Sequence, residues 1–445
     1  MFVNGAAGTG KTFLTCACCN CARSRQKIVL ATATSAFAAQ LYPGGRTTHA
    51  TFKVSIPLLT YTLHLTCSQV LVNECNQFLE SPVRTDDTRG ELLRNASLII
   101  WDEAPMANKA VLACVDVTLR KVTNCNEPFG GKVILLLGDF CQMCPVIPGG
   151  SKTDVLDASI RSSPLWDIFH IWKLTTPVRN AEDPCYQRFV DDIGVGLSPT
   201  VSLATFHIVY EESHLIDYIF PAEILLTPDH CSLQSILTPT NRQIDVYNTA
   251  ILDHLTGPQH IYFAADTVKN VDSDMACPTS LLNYVKKQTP PGLPPYVLPI
   301  KVGGVYRLLR NLSLSRNMVK NARVVVTQVG DRVLSVCLLG KGNANISSDH
   351  SEVLLPRITF TATMPSTNHT VLRKQFPLAA AYATIFNSCQ GLTLERVAID
   401  LTRAVFTHGQ LYTAFSRVRH REDACIRCTP CQSLCPNIVF KELLL

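Results

Sequence analysis

The sequence predicts an α/β protein built on parallel sheets, and three observations carry that prediction. Gly5-Ala6-Ala7-Gly8-Thr9-Gly10-Lys11-Thr12 is a complete G-x-x-x-x-G-K-[ST] phosphate loop. Short apolar runs alternate with helical stretches over residues 1–180, as in a buried parallel sheet with crossover helices. A separate set of short strands near the Pro-rich segment 288–299 reads as a small β-barrel insertion.

Taking the elements in order, Phe2-Val3-Asn4 reads as a strand end and Thr12 to Ala22 as the helix that follows the loop. Lys27 to Leu30, Ser97 to Trp101 and Lys132 to Leu137 supply further buried strands. A Gly/Pro/Ser stretch at 194–200 breaks the pattern, and a strand-then-helix region at Ser235 to Leu255 opens a second α/β domain. Val302 to Leu309, Arg323 to Val329 and Arg332 to Leu339 are the strands expected of the barrel, and Gly409 to Arg417 is expected to be helical.

The 445 residues are enough for about three domains. A net charge of +5 permits a polyanion partner without demanding one. No apolar run reaches the roughly 18 residues of a membrane span, and the start of the chain lacks the pattern of a secretory signal. An intracellular protein with reduced thiols is therefore expected, although 19 cysteines is a large number.

The chemistry concentrates at a few positions. Glycines let the loop's N–H groups turn toward a phosphate, Lys11 supplies a point charge, and the Thr12 hydroxyl is placed to ligate Mg²⁺. Asp102 and Glu103 end an apolar strand, the first suited to Mg²⁺ and the second to activating water. After another strand, Gln142 is a neutral amide within reach of a γ-phosphate, and Arg179 and Arg417 are candidate forks for the charge of the transferring group. The cofactors implied are ATP and Mg²⁺. At the C-terminus, Cys425, Cys428, Cys431 and Cys435 have the spacing of a ferredoxin run, but a single run would need a remote ligand for a cluster.

The phosphate loop, Asp102-Glu103-Ala104-Pro105-Met106, Gly138-Asp139-Phe140 with Gln142, and His408 to Val418 occur in order. The set resembles the petite-integration-frequency (Pif) family of superfamily-one DNA helicases. Pro43 to His49, Gly292-Leu293-Pro294-Pro295 and Asn387 to Thr393 are similar, more narrowly, to the helicase module of Helitron transposons of fungal type. The resemblance implies two RecA-like motor domains, at 1–180 (with a wedge insertion near 43–90) and at 195–290 with 376–445, and a small SH3-like barrel at 300–365. It also implies ATP bound between the motor domains and five-prime to three-prime translocation on single-stranded DNA, with duplex junctions as substrate and a nuclear setting in repair, recombination and telomere maintenance. Lys11, Thr12, Asp102, Glu103, Gln142, Arg179 and Arg417 match the family's ATPase positions. Thr48, His49, Thr238, Pro239, Thr240, Asn241, Gln390, Gly391 and Thr393 match its strand contacts, which would grasp phosphate and sugar without reading bases.

The chain also departs from the family pattern. Only Met1 to Asn4 precede the loop, where relatives carry an adenine-contacting glutamine, which points to an amino-terminally truncated module. Cys141 stands where Helitron members usually have arginine, Ser388 where many relatives have lysine, and Ala379 where the subfamily tends to be basic. No His-hydrophobe-His nickase motif occurs, so the chain itself is expected to lack the nicking half of a transposase. The alternative expectation is a catalytically weakened, transposon-derived DNA-binding remnant.

Overall fold

Six parallel strands order the first part of the chain, and their carboxyl ends bring the chemical groups together. The computed structural model describes residues 1–54, 79–147, 149–269, 279–286, 293–313, 316–339, 352–363 and 370–445. Part of the expected wedge (55–78), parts of the expected barrel and Gly292 lie outside the described residues. Two compact units result, one of residues 1–208, 386–393 and 401–445, the other of 209–385 and 394–400.

In the first unit, β1 (Phe2–Gly5), β2 (Ile28–Ala33), β3 (Arg46–Thr47), β4 (Ala96–Asp102), β5 (Val133–Gly138) and β6 (Ile171–Leu174) form one sheet in the order β3-β2-β4-β5-β1-β6. Every pairing is parallel. The apolar runs are near-continuous rather than alternating because both faces are covered: after Val133, every residue of β5 is buried. Phe2, Phe140 and Trp166 pack as an aromatic cluster on one face, with ring centroids 5.0–5.5 Å apart. On the other face Val3, Ile100 and Leu137 meet Cys19 of helix α1 (Lys11–Ser24). Cys19 is thus a small buried hydrophobe, and the described cysteines are all free thiols.

Neighbouring strands in this order end in the phosphate loop (β1), Asp139 (just after β5) and Asp102 (β4). A parallel sheet binds ligands at such carboxyl ends, so the sheet order alone gathers residues far apart in sequence.

The second unit holds parallel strands Ala383–Ile385, Gln234–Thr238 and Arg396–Asp400, with Gln234–Thr238 central. Helix Asn241–His254 follows the central strand. A five-stranded antiparallel sheet orders Val353–Pro356, Val333–Leu338, Arg323–Val329, Val305–Leu308 and Leu378–Ala380, and a three-stranded one is built around Thr370–Gln375. The strand Arg323–Val329 has the limits expected of it. Among the described residues, no helix is long and apolar enough to cross a membrane.

Residues 386–393 and 401–445 fall in the same unit as the phosphate loop. Side chains of Arg417 and its neighbours bond within that first unit, as the site geometry makes clear.

Candidate nucleotide site

The phosphate loop turns at Gly8, whose φ of +80° places it in the left-handed region and whose Cβ position lies 2.4 Å from Arg179 Cβ. Only glycine fits there. The Gly8 carbonyl accepts the backbone N–H groups of Val178 and Arg179 at 2.9 and 3.1 Å, tying the loop to the segment after β6. Lys11 Nζ donates to the carbonyls of Gly5 (2.5 Å) and Ala6 (3.0 Å), folded over its own loop.

Asp102 and Glu103 end β4 and are both buried, at 4 % and 8 % exposure. Asp102 accepts the backbone N–H of Glu103 at 2.8 Å and the Tyr42 hydroxyl at 2.5 Å. Burial raises the Asp102 pKa, against the pull of Tyr42 and of Lys11. Glu103 has φ +52°, a left-handed conformation that turns its side chain out of the strand path. Burial, then the charge of Asp102, pushes its carboxyl up to about 7, with Lys11 and Arg417 opposing. A carboxyl poised near neutrality is suited to taking a proton.

Arg417 is 2 % exposed and donates through Nε to Thr413 O (2.8 Å), through Nη1 to Leu392 O (3.2 Å), and through Nη2 to Ser416 Oγ (2.6 Å). Arg179 donates to Ser416 O (2.7 Å) and to Thr393 Oγ1 (2.8 Å). Burial, then the nearby Arg417, lowers its pKa to about 10. Gln142 Nε2 reaches Asp139 at 3.2 Å, while its buried Oε1 has no hydrogen-bond partner.

The structure thus gathers Lys11, Asp102, Glu103, Gln142, Arg179 and Arg417 within one unit. The predicted strand contacts are placed differently from one another. Thr48 is fully buried and bonds Thr32 Oγ1 and Ala33 O, both at 3.3 Å. His49 is half-buried, and burial lowers its pKa. Thr238, Pro239, Thr240 and Asn241 make the turn into helix Asn241–His254, with Thr238 Oγ1 donating to Thr240 O at 2.8 Å. Gln390 Nε2 lies 3.3 Å from Glu103 Oε2, so it reaches the acid rather than open surface. Thr393 receives Arg179, and Gly391, at φ +83°, faces the Phe37 ring.

Sequence reasoning missed Tyr42, whose phenol binds Asp102 and is also influenced by the hydroxyls of Thr12 and Thr15. The two residues suggested for Mg²⁺, Thr12 and Asp102, therefore flank one phenol. Among the described residues no three His, Cys, Asp or Glu side chains converge as a metal site. Mg²⁺ needs no such cage when one carboxylate, a hydroxyl and phosphate oxygens suffice. The buried, unpartnered Oε1 atoms of Gln142 and Gln390 and Oγ1 of Thr413 fit a polar ligand, as does the cradle at Gly10, whose Cβ position meets only Val178 at 3.9 Å. Of the C-terminal thiols, Cys431 is exposed at φ +70°, and Cys428 Sγ faces Gln432 O at 3.6 Å.

A parallel sheet with a phosphate loop on β1 and acids at the ends of the two strands beyond it defines a P-loop NTPase fold. Residues 1–193 match the model of the PIF1-like helicase family. It is 27% identical over 434 residues to ATP-dependent DNA helicase PIF1 of Danio rerio, covering 95% of this chain and 57% of that protein. The chain thus spans a little over half the length of that relative. A structure of two coordinating Pif1 helicases on forked duplex DNA superposes with a TM-score of 0.64 at 21% identity, over 100% of this chain and 90% of that one. Bacteroides Pif1 in complex with ADP-AlF3 and single-stranded DNA gives 0.62 at 20% identity, with the same coverage. At these identities the structural likeness establishes the fold.

Proposed function

We propose that the chain is an ATP-dependent DNA helicase that translocates on single-stranded DNA in the five-prime to three-prime direction and opens duplex junctions. The observation that carries the reading is the convergence of Lys11, the raised-pKa Glu103, the buried Arg417 and the half-buried Arg179 at the carboxyl edge of one parallel sheet. The nucleotide and strand held by the Bacteroides relative support it.

In this reading Glu103 accepts a proton from the attacking water, while Lys11, Arg179 and Arg417 neutralise the oxygens of the transferring phosphoryl group. Gln142 directs its amide at the γ-phosphate. Thr12 and Asp102 would hold Mg²⁺, which would supply charge neutralisation to the phosphates. Gly5, Ala6, Gly8, Thr9 and Gly10 shape the loop. Thr48, His49, Thr238 to Asn241, Gln390, Gly391 and Thr393 are proposed to lie along the strand path, some through backbone groups. Motor domains at 1–180 and at 195–290 with 376–445, a barrel at 300–365, membership of the fungal Helitron-type subgroup and a nuclear role in repair and recombination belong to the same proposal.

Steady-state ATP hydrolysis with and without single-stranded DNA, using Lys11→Ala as the blank, tests it. Stimulation by DNA that Lys11→Ala abolishes is expected, and equal turnover in that variant would sink the assignment. A second reading, a weakened DNA-binding remnant, rests on Cys141. Burial, then Asp139, raises its pKa, so the thiol stays neutral and brings no positive charge. Cys141→Arg should raise a near-zero rate if that loss is the defect.

A further inference from the structure

Tyr412 lies on the helix Gln410–Phe415, just upstream of Arg417, and is 1 % exposed. Its hydroxyl accepts the backbone N–H of Ala7, inside the phosphate loop, at 2.9 Å and donates to Asp139 Oδ2 at 2.7 Å. A phenol has one proton. Since Ala7 N–H occupies the oxygen as a donor, that proton has to go to Asp139. Asp139 in turn accepts Gln142 Nε2 on the same oxygen and the Cys141 backbone N–H, at 3.0 Å, on the other. Burial, then Asp139, holds the phenol well above its ordinary pKa, so it remains a neutral donor.

One hydroxyl therefore joins three segments: the phosphate loop, the turn that carries Gln142, and the helix that leads to Arg417. The fit around it is close. Gly409, at φ +72°, has a Cβ position 2.6 Å from Cys141 O, so the helix start is seated on the Cys141–Gln142 backbone. Gly194 lets the Tyr412 ring in, since a Cβ there would be 2.8 Å from Cδ2. Packing alone would be served equally by phenylalanine; the hydroxyl is what the Ala7 amide and Asp139 require.

We infer that Tyr412 is a positioning residue for hydrolysis, its hydroxyl pinning the phosphate loop at Ala7 to Asp139 and so fixing Gln142 and the Arg417 helix relative to the terminal phosphate. The inference rests on the ATPase reading. With the Ala7 N–H engaged by Tyr412 and the Thr9 N–H directed to Ala6 O at 3.4 Å, the phenol bears on where the remaining loop amides point.

Tyr412→Phe, which keeps the ring, tests the inference in the full chain alongside Asp139→Asn and the double variant. Expected is a fall in kcat on the order of tenfold, the size of losing a hydrogen bond to a charged group, with KM for ATP changed by less than about twofold. Asp139→Asn should lower kcat similarly, and the double variant no further, because both remove one link. Hydrogen exchange at peptides covering Gly5 to Gly10 should accelerate in Tyr412→Phe. Unchanged kcat, a KM that rises in step with the loss, or additive effects in the double variant would overturn the inference. If the wild-type chain hydrolyses no ATP, the ATPase reading fails; exchange then still decides, and unaltered exchange in Tyr412→Phe overturns the positioning role.

Discussion

Each unit of the molecule buries charge, and the two do so in opposite ways. In the second unit Arg373 is fully buried and fully answered. Its Nε and Nη2 pair with the two oxygens of Asp266 at 2.8 Å, and two further donors reach Pro294 O and Val285 O at 3.0 and 2.9 Å. In the first unit Lys11, Arg179 and Arg417 stand among Asp102, Glu103 and Asp139, yet none of these cations makes an ion pair with a carboxylate among the described residues. The cations donate to carbonyls and hydroxyls instead. A buried pair that closes on itself holds structure together. A set left open, with the carboxyls of Asp102 and Glu103 raised and Arg179 lowered by burial, keeps its charge for something that arrives.

That contrast is broken most sharply by exchanging the two behaviours. Glu103→Gln removes the base while keeping its shape, so turnover should fall on the order of 10²–10⁴-fold with no loss of stability. Both are read from ATPase rate and urea denaturation. Asp266→Asn should do the reverse. It strands the Arg373 charge, at a cost of about 3–5 kcal/mol, while the rate per folded molecule stays at the wild-type level. If Glu103→Gln destabilised the protein and Asp266→Asn abolished turnover, the distinction would be wrong.

The pH dependence of stability sharpens it further. The folded pKa of Glu103, about 7, lies above its ordinary 4.5. The folded state therefore holds a proton that the unfolded state releases between those values. Its contribution is fully present below pH 4.5 and is lost as pH rises through 7, by about 3 kcal/mol. Raised Asp102 acts in the same direction. Denaturation of the Mg²⁺-free protein across this window should show stability falling as pH rises, and Glu103→Gln should flatten much of that slope.

What the sequence made legible was local. The phosphate loop, the strand ending in Asp102-Glu103 and the strand Arg323–Val329 are specified by residues next to one another. The contacts that complete the site were hidden because their partners lie 60 residues apart for Tyr42 and Asp102, 287 for Gln390 and Glu103, and 405 for Ala7 and Tyr412. No periodicity reports such pairings. They follow from sheet order and from the return of residues 386–393 and 401–445 to the first unit. Thr48, whose motif suggested a strand contact, has its side chain hydrogen-bonded to Thr32 and Ala33 of β2, a pairing equally invisible in the local sequence.

Gln390 offers the smallest and most discriminating effect. Its amide donates to Glu103 while its own Oε1 is buried without a partner, so it is bound to the open set by one end only. A neutral amide adds no charge and cannot replace the base; it can restrict where the carboxylate points. Gln390→Ala should therefore lower kcat by less than about tenfold, the range of one net hydrogen bond, and should leave urea stability nearly unchanged. Its neighbour Thr393 holds Arg179, and Cys389 and Leu392 offer carbonyls to Arg417, so the segment Phe386–Thr393 touches three ionic side chains of the site. A strand bound along that segment would bear on all three. The ratio of DNA-stimulated to basal ATPase should then fall in Gln390→Ala more than the basal rate itself. A variant that lost only DNA affinity, with the maximal stimulated rate intact at saturating strand, would place Gln390 on the strand path and off the acid.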